Sequence, residues 1–313
     1  MKLLNLFLPA KPEVIEQTAE RRAVVALGGG GARGLAHLGV MQSIGESGVH
    51  TERIVGVSMG SLVGAMCAVD PDILRVQAKA IELLYSPIFK LKQEILFGAA
   101  PPGDEEGSGG IFPWYGRIRK YLKAHRKLTR AVTGPSLISE APLSESIEAL
   151  LPDVDLQELP IPLSIVAVDL LTGRRVVLEK GSLRQAVLAS AAIPGIFPPV
   201  RWGDMLLCDI GVIESIPTVV AQSYASDLTI AVDVGQDSGK IHACNTALEV
   251  MMRLDDICER LMRRHVLEAA DLIIRPNVGN IAWFDFSEPE RLIAEGRAAG
   301  HRAMERFAEV RAA

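Results

Sequence analysis

The chain has 313 residues, enough for one large α/β domain or two small ones with a substantial buried core. Apolar residues make up 49% and charged residues 23%, with aromatics at only 5% and Gly and Ala abundant, a balance that suits helices packed tightly on a sheet better than a β-sandwich. The net charge of −5 comes from interleaved acidic and basic residues, which argues against a nucleic-acid footprint of clustered Lys and Arg.

Cys67, Cys208, Cys244 and Cys258 have no CxxC spacing, so reduced thiols are expected, with no zinc site, disulfide framework or other metal centre. The opening stretch MKLLNLFLPA leaves a signal peptide open, although its apolar run is brief and interrupted by Pro9. No window approaches the ~18 uninterrupted apolar residues of a membrane span. The expected protein is soluble and cytoplasmic, with a short N-terminal extension over 1–22.

In chain order, residues 23–27 (AVVAL) form a short apolar run before a glycine tract and read as a buried strand. Helical spacing follows over 32–47, a second strand over 53–57, and a small-residue helix over 61–69. Two successive strand–turn–helix units imply parallel strands and an α/β sheet. Helices are predicted over 71–84, 86–96 and 113–125, around a loop-like composition at 98–110 (GAAPPGDEEGSGG). Strands are predicted over 163–168, 175–178, 206–208 and 228–234, with a helix over 181–192. Amphipathic helices over 245–268 and 289–307 close the chain. No repeat or linker divides it, so a single domain over 23–313 is expected, with its core at about 23–234 and its C-terminal helices at about 240–313.

Gly56-Val57-Ser58-Met59-Gly60 matches the G-x-S-x-G nucleophile elbow. At a sharp strand-to-helix turn the serine hydroxyl stands exposed, the flanking Gly56 and Gly60 leave room, and the helix N-terminus favours developing negative charge. Gly28 to Gly34 (GGGGARG) likewise follows a strand and opens a helix. Its G-x-G-x-x-G spacing could cradle a dinucleotide, but the next strand ends in Gly56-Val57-Ser58 and not in the acid that a ribose requires. Amides beside a nucleophile serve better as an oxyanion hole, which makes Gly29, Gly30, Gly31, Arg33 and Gly34 of this loop its candidate members. None of the six histidines lies in a glycine-rich or strand-end context, and all read as helix-surface or solvent-facing residues. The candidate base is Asp209, at the end of the apolar run 205–208 and before Ile210-Gly211. Its spacing fits a simple turn aspartate equally well.

Taken together, these residues resemble the patatin-like phospholipase family. The resemblance rests on the Gly29–Gly34 loop, GVSMG around Ser58, ASAAIPGIFPPV at 189–200, and Asp209-Ile210-Gly211. It implies a three-layer α/β/α sandwich around a mainly parallel sheet. It also implies a Ser58–Asp209 dyad and an acyl-serine intermediate, with amides around Gly30, Gly31 and Arg33 or Met59 stabilising the oxyanion and Gly211 supporting the acid. The expected substrate is a lipid or other acyl ester, and no cofactor is expected. Arg33 is expected to hold the loop or attract a phosphate headgroup. Two positions depart from the family pattern: Ile210 stands where glycine is usual, and 214–217 (ESIP) lacks the asparagine that commonly precedes the proline. Residues 81–97, with exposed-looking aromatics and Lys90 and Lys92, could form an interfacial segment or lid, making transient membrane contact, or pack onto the core. The alternatives are a serine esterase or thioesterase with His242 or His265 as base, and a catalytically impaired lipid-binding relative. Oligomeric state is not legible in the sequence.

Overall fold

The computed structural model describes residues 21–97, 134, 136, 138–236, 243, 244 and 247–312. The expectations for all but the last two residues of the N-terminal extension, for the loop at 98–110 and for the helix at 113–125 fall outside these residues, as does His242.

The first unit is β1 (Arg22–Leu27), a tight 3-10 turn (Gly31–Leu35) and α1 (Ala36–Glu46). The second is β2 (His50–Val57) and α2 (Met59–Val69), followed by α3 (Ile73–Tyr85) and α4 (Pro87–Phe97). Then come α5 (Ala141–Leu150), the hairpin strands β3 (Leu163–Asp169) and β4 (Arg174–Leu178), and α6 (Leu183–Ala191). The chain continues through β5 (Val200–Trp202), β6 (Met205–Cys208), α7 (Thr218–Gln222) and β7 (Leu228–Val232). It ends with α8 (Ala247–Leu267), β8 (Leu272–Ile274) and α9 (Pro289–Ala312).

The strands form one eight-stranded sheet in the order β5-β6-β3-β2-β1-β7-β8, with β4 also paired to β3. From β3 to β8 the pairs are parallel, while β4, β5 and β6 join antiparallel. Side chains alternate across a strand: Ala23, Val25 and Leu27 enter one core with α1, α2 and α6, and Val24 and Ala26 enter the other with α7 and the end of α8. Helices on both faces give the three layers expected. On the larger face α1 and α9 pack almost backbone to backbone, because a Cβ at Gly39 would overlap the Ile293 carbonyl and one at Gly296 the Ala36 carbonyl. No described helix is long and apolar enough to cross a membrane.

Some elements differ from expectation. The helix expected from residue 32 runs first as the 3-10 turn, and α2 starts at Met59, immediately after Ser58. Helices α5 and α7 and strands β5 and β8 were not expected. Strands β5 and β8 have three residues each, too few to show a period, and α5 buries only Ile147 and Leu150.

Candidate active site

The sheet explains how Ser58 meets Asp209. Strand β2 leaves the edge of β3 at Val57, opposite Val166, and β6 takes up pairing on β3 just beyond, with Cys208 opposite Val168. The residues that follow, Ser58 and Asp209, therefore sit side by side off one edge of β3. Ser58 has φ 54 and ψ −125 and is the sole non-glycine with positive φ among the described residues. For an L-residue this is strained backbone that its surroundings must hold. The Ser58 amide donates to Ser190 Oγ at 2.9 Å, and that hydroxyl donates to the Val166 carbonyl at 2.7 Å. On the helix side, Ser61 Oγ donates to the Ser58 carbonyl at 2.6 Å. A Cβ on Gly60 would overlap the Leu27 carbonyl, and one on Gly56 would come within 2.6 Å of the Gly60 carbonyl, so both glycines provide clearance.

The glycine loop is held by partners distant in sequence. Gly29 donates to the Ser215 carbonyl at 2.8 Å, and Ala32 donates to the Trp283 carbonyl at 2.6 Å. His37, fully buried on α1, places Nε2 2.8 Å from the Gly28 carbonyl. Burial pushes its imidazole down to about 4, so at neutral pH the ring is uncharged, with Nε2–H donating to that carbonyl. Arg33 Nε donates back to the Gly30 carbonyl at 3.1 Å. Burial lowers its guanidinium to about 10, offset mainly by Glu259, and it stays charged. The amides of Gly30, Gly31 and Met59 have no acceptor among the described residues.

Asp209 is 7% exposed. Burial pushes its carboxyl up to about 6, while the nearby Ser58 hydroxyl and a hydrogen bond from the Gly211 amide pull it back. The Gly211 bond is 2.7 Å long. Ile210 has no positive φ and is buried with Val55, Val57 and Val166 in the smaller core. The departure from glycine is thus accommodated: the backbone needs no special freedom there, and the side chain points away from the acid into apolar packing. In the ESIP stretch, the Ser215 carbonyl anchors Gly29, and Glu214 is buried against Arg175 at 2.7 Å.

Two cavities meet at Ser58. One, of about 170 Å³, is walled by apolar side chains including Leu35, Leu38, Leu62, Met66, Phe89 and Phe286. The other, of about 200 Å³, is lined by Asp209, Arg33, Gln236, Asp255, Asp256 and Glu259. Ser58, Gly31, Ile193 and Trp283 line both. Near the polar cavity, buried Asp233 bridges Arg275 at 3.2 Å and Arg263 at 3.5 Å.

Of the residues singled out from sequence, Ser58, Asp209, Gly29, Gly30, Gly31, Arg33 and Gly211 line the polar cavity, and Met59 lines the apolar one. Two oxyanion expectations are corrected. The Gly29 amide is committed to Ser215. Gly34 lines neither cavity and is a clearance glycine, whose Cβ would collide with the Met59 side chain. Arg33 contributes a side chain that closes the loop on itself. The histidines were expected at the surface; His37 is instead a core residue, while His265 is exposed on α8 and lines neither cavity. The stretch 81–97 divides, with Leu83, Leu84 and Phe89 lining the apolar cavity and Tyr85, Ile88 and Leu91 exposed. Sequence reasoning gave no role to Ser190, His37 or Trp283. Ser190 lies inside the block 189–200 already marked by resemblance, whereas Trp283 carries no local signal.

A strained serine thus lies beside a buried carboxylate on a mixed sheet covered by helices on both faces. The patatin-like phospholipase model matches residues 25–221, and the chain belongs to that family. It is 33% identical over 227 residues to an uncharacterized NTE family protein of Mycobacterium tuberculosis strain H37Rv, a match covering 72% of this chain and 52% of that protein. It is 28% identical over 214 residues to patatin-like phospholipase domain-containing protein 6 of Mus musculus, covering 67% of this chain and 13% of that one. The chain thus spans about half the length of the mycobacterial relatives it matches. Among solved structures, VipD from Legionella pneumophila aligns with 93% of this chain and 67% of its own, at 18% identity and a TM-score of 0.46.

Proposed function

We propose that this chain is a lipid acyl-ester hydrolase of phospholipase or lysophospholipase type, with Ser58 as nucleophile and Asp209 as its base. One observation carries the reading: a strained Ser58 beside a buried carboxylate, where an apolar and a polar cavity meet. Membership of the patatin-like phospholipase family supports it.

Asp209, at about 6, is mostly ionised at neutral pH and still basic enough to take a proton, which is where a general base works best. In the mechanism, Ser58 Oγ attacks the ester carbonyl as Asp209 accepts its proton. The tetrahedral oxyanion is stabilised by the uncommitted amides of Gly30, Gly31 and Met59, each such donor being worth about 2.7–4 kcal/mol. Collapse breaks the ester C–O bond, and the leaving alcohol takes the proton from Asp209. Water, deprotonated by Asp209, then attacks acyl-Ser58 and releases a carboxylic acid and the free serine. The apolar cavity takes the acyl chain and the polar cavity the alcohol portion.

The test combines a fluorophosphonate probe with a panel of phospholipids, lysophospholipids and neutral esters. Wild-type protein is expected to label and to release fatty acid from a lipid ester, and Ser58→Ala to do neither. A wild-type protein inert to both the probe and the panel would leave a lipid-binding role as the better reading.

A further inference from the structure

The family model ends at residue 221, yet a later segment enters the site. Between β8 and α9 the chain runs through Ile281, Trp283, Phe284 and Phe286. Three contacts fix it. The Trp283 carbonyl accepts the Ala32 amide at 2.6 Å. The Phe284 carbonyl accepts Gln93 Nε2 from α4 at 2.9 Å. Phe286 meets Phe89 edge to face, with ring centroids 5.5 Å apart. The approach at the glycine loop is so close that a Cβ on Gly31 would overlap the Trp283 carbonyl.

Four residues line both cavities. Ser58 is the reacting group and Gly31 carries one of the open amides, so Ile193 and Trp283 supply the bulk between the compartments. Trp283 is the larger and the only aromatic of the four. An aromatic residue is suited to such a partition, since it presents a large apolar surface at low conformational cost together with one polar edge.

Resting on the hydrolase reading above, we propose that Trp283 is a specificity-determining residue. Its side chain walls the acyl compartment off from the charged compartment, while its carbonyl holds the turn that carries the open amides. A partition of this kind selects esters with one extended apolar acyl chain on one side of the scissile bond and a polar alcohol on the other. Without it, the charged compartment and its water adjoin the acyl chain, and the gain from each added methylene shrinks.

The backbone contact survives any side-chain replacement, so substitution at Trp283 probes the wall. Wild type, Trp283→Phe and Trp283→Ala are compared on p-nitrophenyl esters from acetyl to dodecanoyl, after thermal unfolding has verified each fold. The kcat/KM ratio of long over short chains is expected to fall about tenfold in Trp283→Ala and to stay within about threefold of wild type in Trp283→Phe. A uniform loss across all chain lengths would overturn the wall and leave Trp283 a structural residue. Dodecanoate binding to Ser58→Ala protein, with and without Trp283→Ala, is measured by calorimetry. Weaker binding by about tenfold in the double variant supports the wall even if wild type proves catalytically inert, and unchanged binding counts against it. Inertness would sink the hydrolase reading alone.

Discussion

Two strand-to-helix turns on adjacent parallel strands do opposite work. The turn after β2 concentrates strain on one residue, Ser58, and holds it from both sides, through Ser61 on the helix it opens and through the distant Ser190. The turn after β1 carries its unusual angles on glycines, with φ 154 at Gly30 and 59 at Gly31, and is clamped by Ser215 and Trp283 from far along the chain. One turn projects a hydroxyl and leaves the Met59 amide open, and the other leaves open the amides of Gly30 and Gly31. The comparison teaches that the elbow of the proposed nucleophile is written in contiguous sequence and pinned by one distant hydroxyl, whereas which amides of the glycine loop stay open is decided by tertiary contacts that occupy some and spare others.

Substitutions can break this contrast in order of size. Ser58→Ala removes the nucleophile and should lower ester hydrolysis by on the order of 10⁶-fold, checked by turnover and by loss of labelling. Asp209→Asn removes the base and should cost about 10²–10⁴-fold in kcat. Its stability effect has the opposite sign. Burial raises the folded carboxyl from 3.8 to about 6, so ionisation costs folding energy above that range, and the carboxyl's favourable contribution is complete only below about 3.8. The Asn variant should therefore unfold at higher denaturant than wild type at pH 8, by at most about 3 kcal/mol, with the gap closing as pH falls below 4.

In the other turn, Gly31→Ala combines a positive φ with an overlap on the Trp283 carbonyl. Displacing one oxyanion donor should cost about 10²–10³-fold in kcat, measured by steady-state kinetics with the melting temperature as control. Ser190→Ala leaves the part-buried Ser58 amide without its acceptor and should destabilise by about 1–3 kcal/mol in urea unfolding. If Gly31→Ala were harmless and Ser190→Ala severe, the division of labour between the turns would be reversed.

What could be read in the sequence follows the same division. The strand, turn and helix around Ser58 are contiguous, so the elbow and its glycines were legible. Asp209 was half legible, because its end-of-strand setting is local but its meeting with Ser58 depends on β6 pairing beyond the end of β2. The loop was recognisable as an amide-rich turn, yet which amides stay open depends on Ser215, which takes Gly29, and on Trp283, which takes Ala32, both far along the chain. Ile210 stood out as an irregularity because sequence shows a missing glycine and not the ordinary φ that makes it unnecessary. Trp283 sits in an irregular segment with no period at all.

The central claim is that Asp209 activates Ser58. It is tested most directly by the rate of fluorophosphonate labelling from pH 4 to 9, in wild type and in Asp209→Asn. The carboxylate must be ionised to accept the proton, so the wild-type rate should climb through a midpoint near 6 and level off above it, with the Asn variant slow and flat. An Asn variant that labels as fast as wild type with the same pH profile would contradict the account.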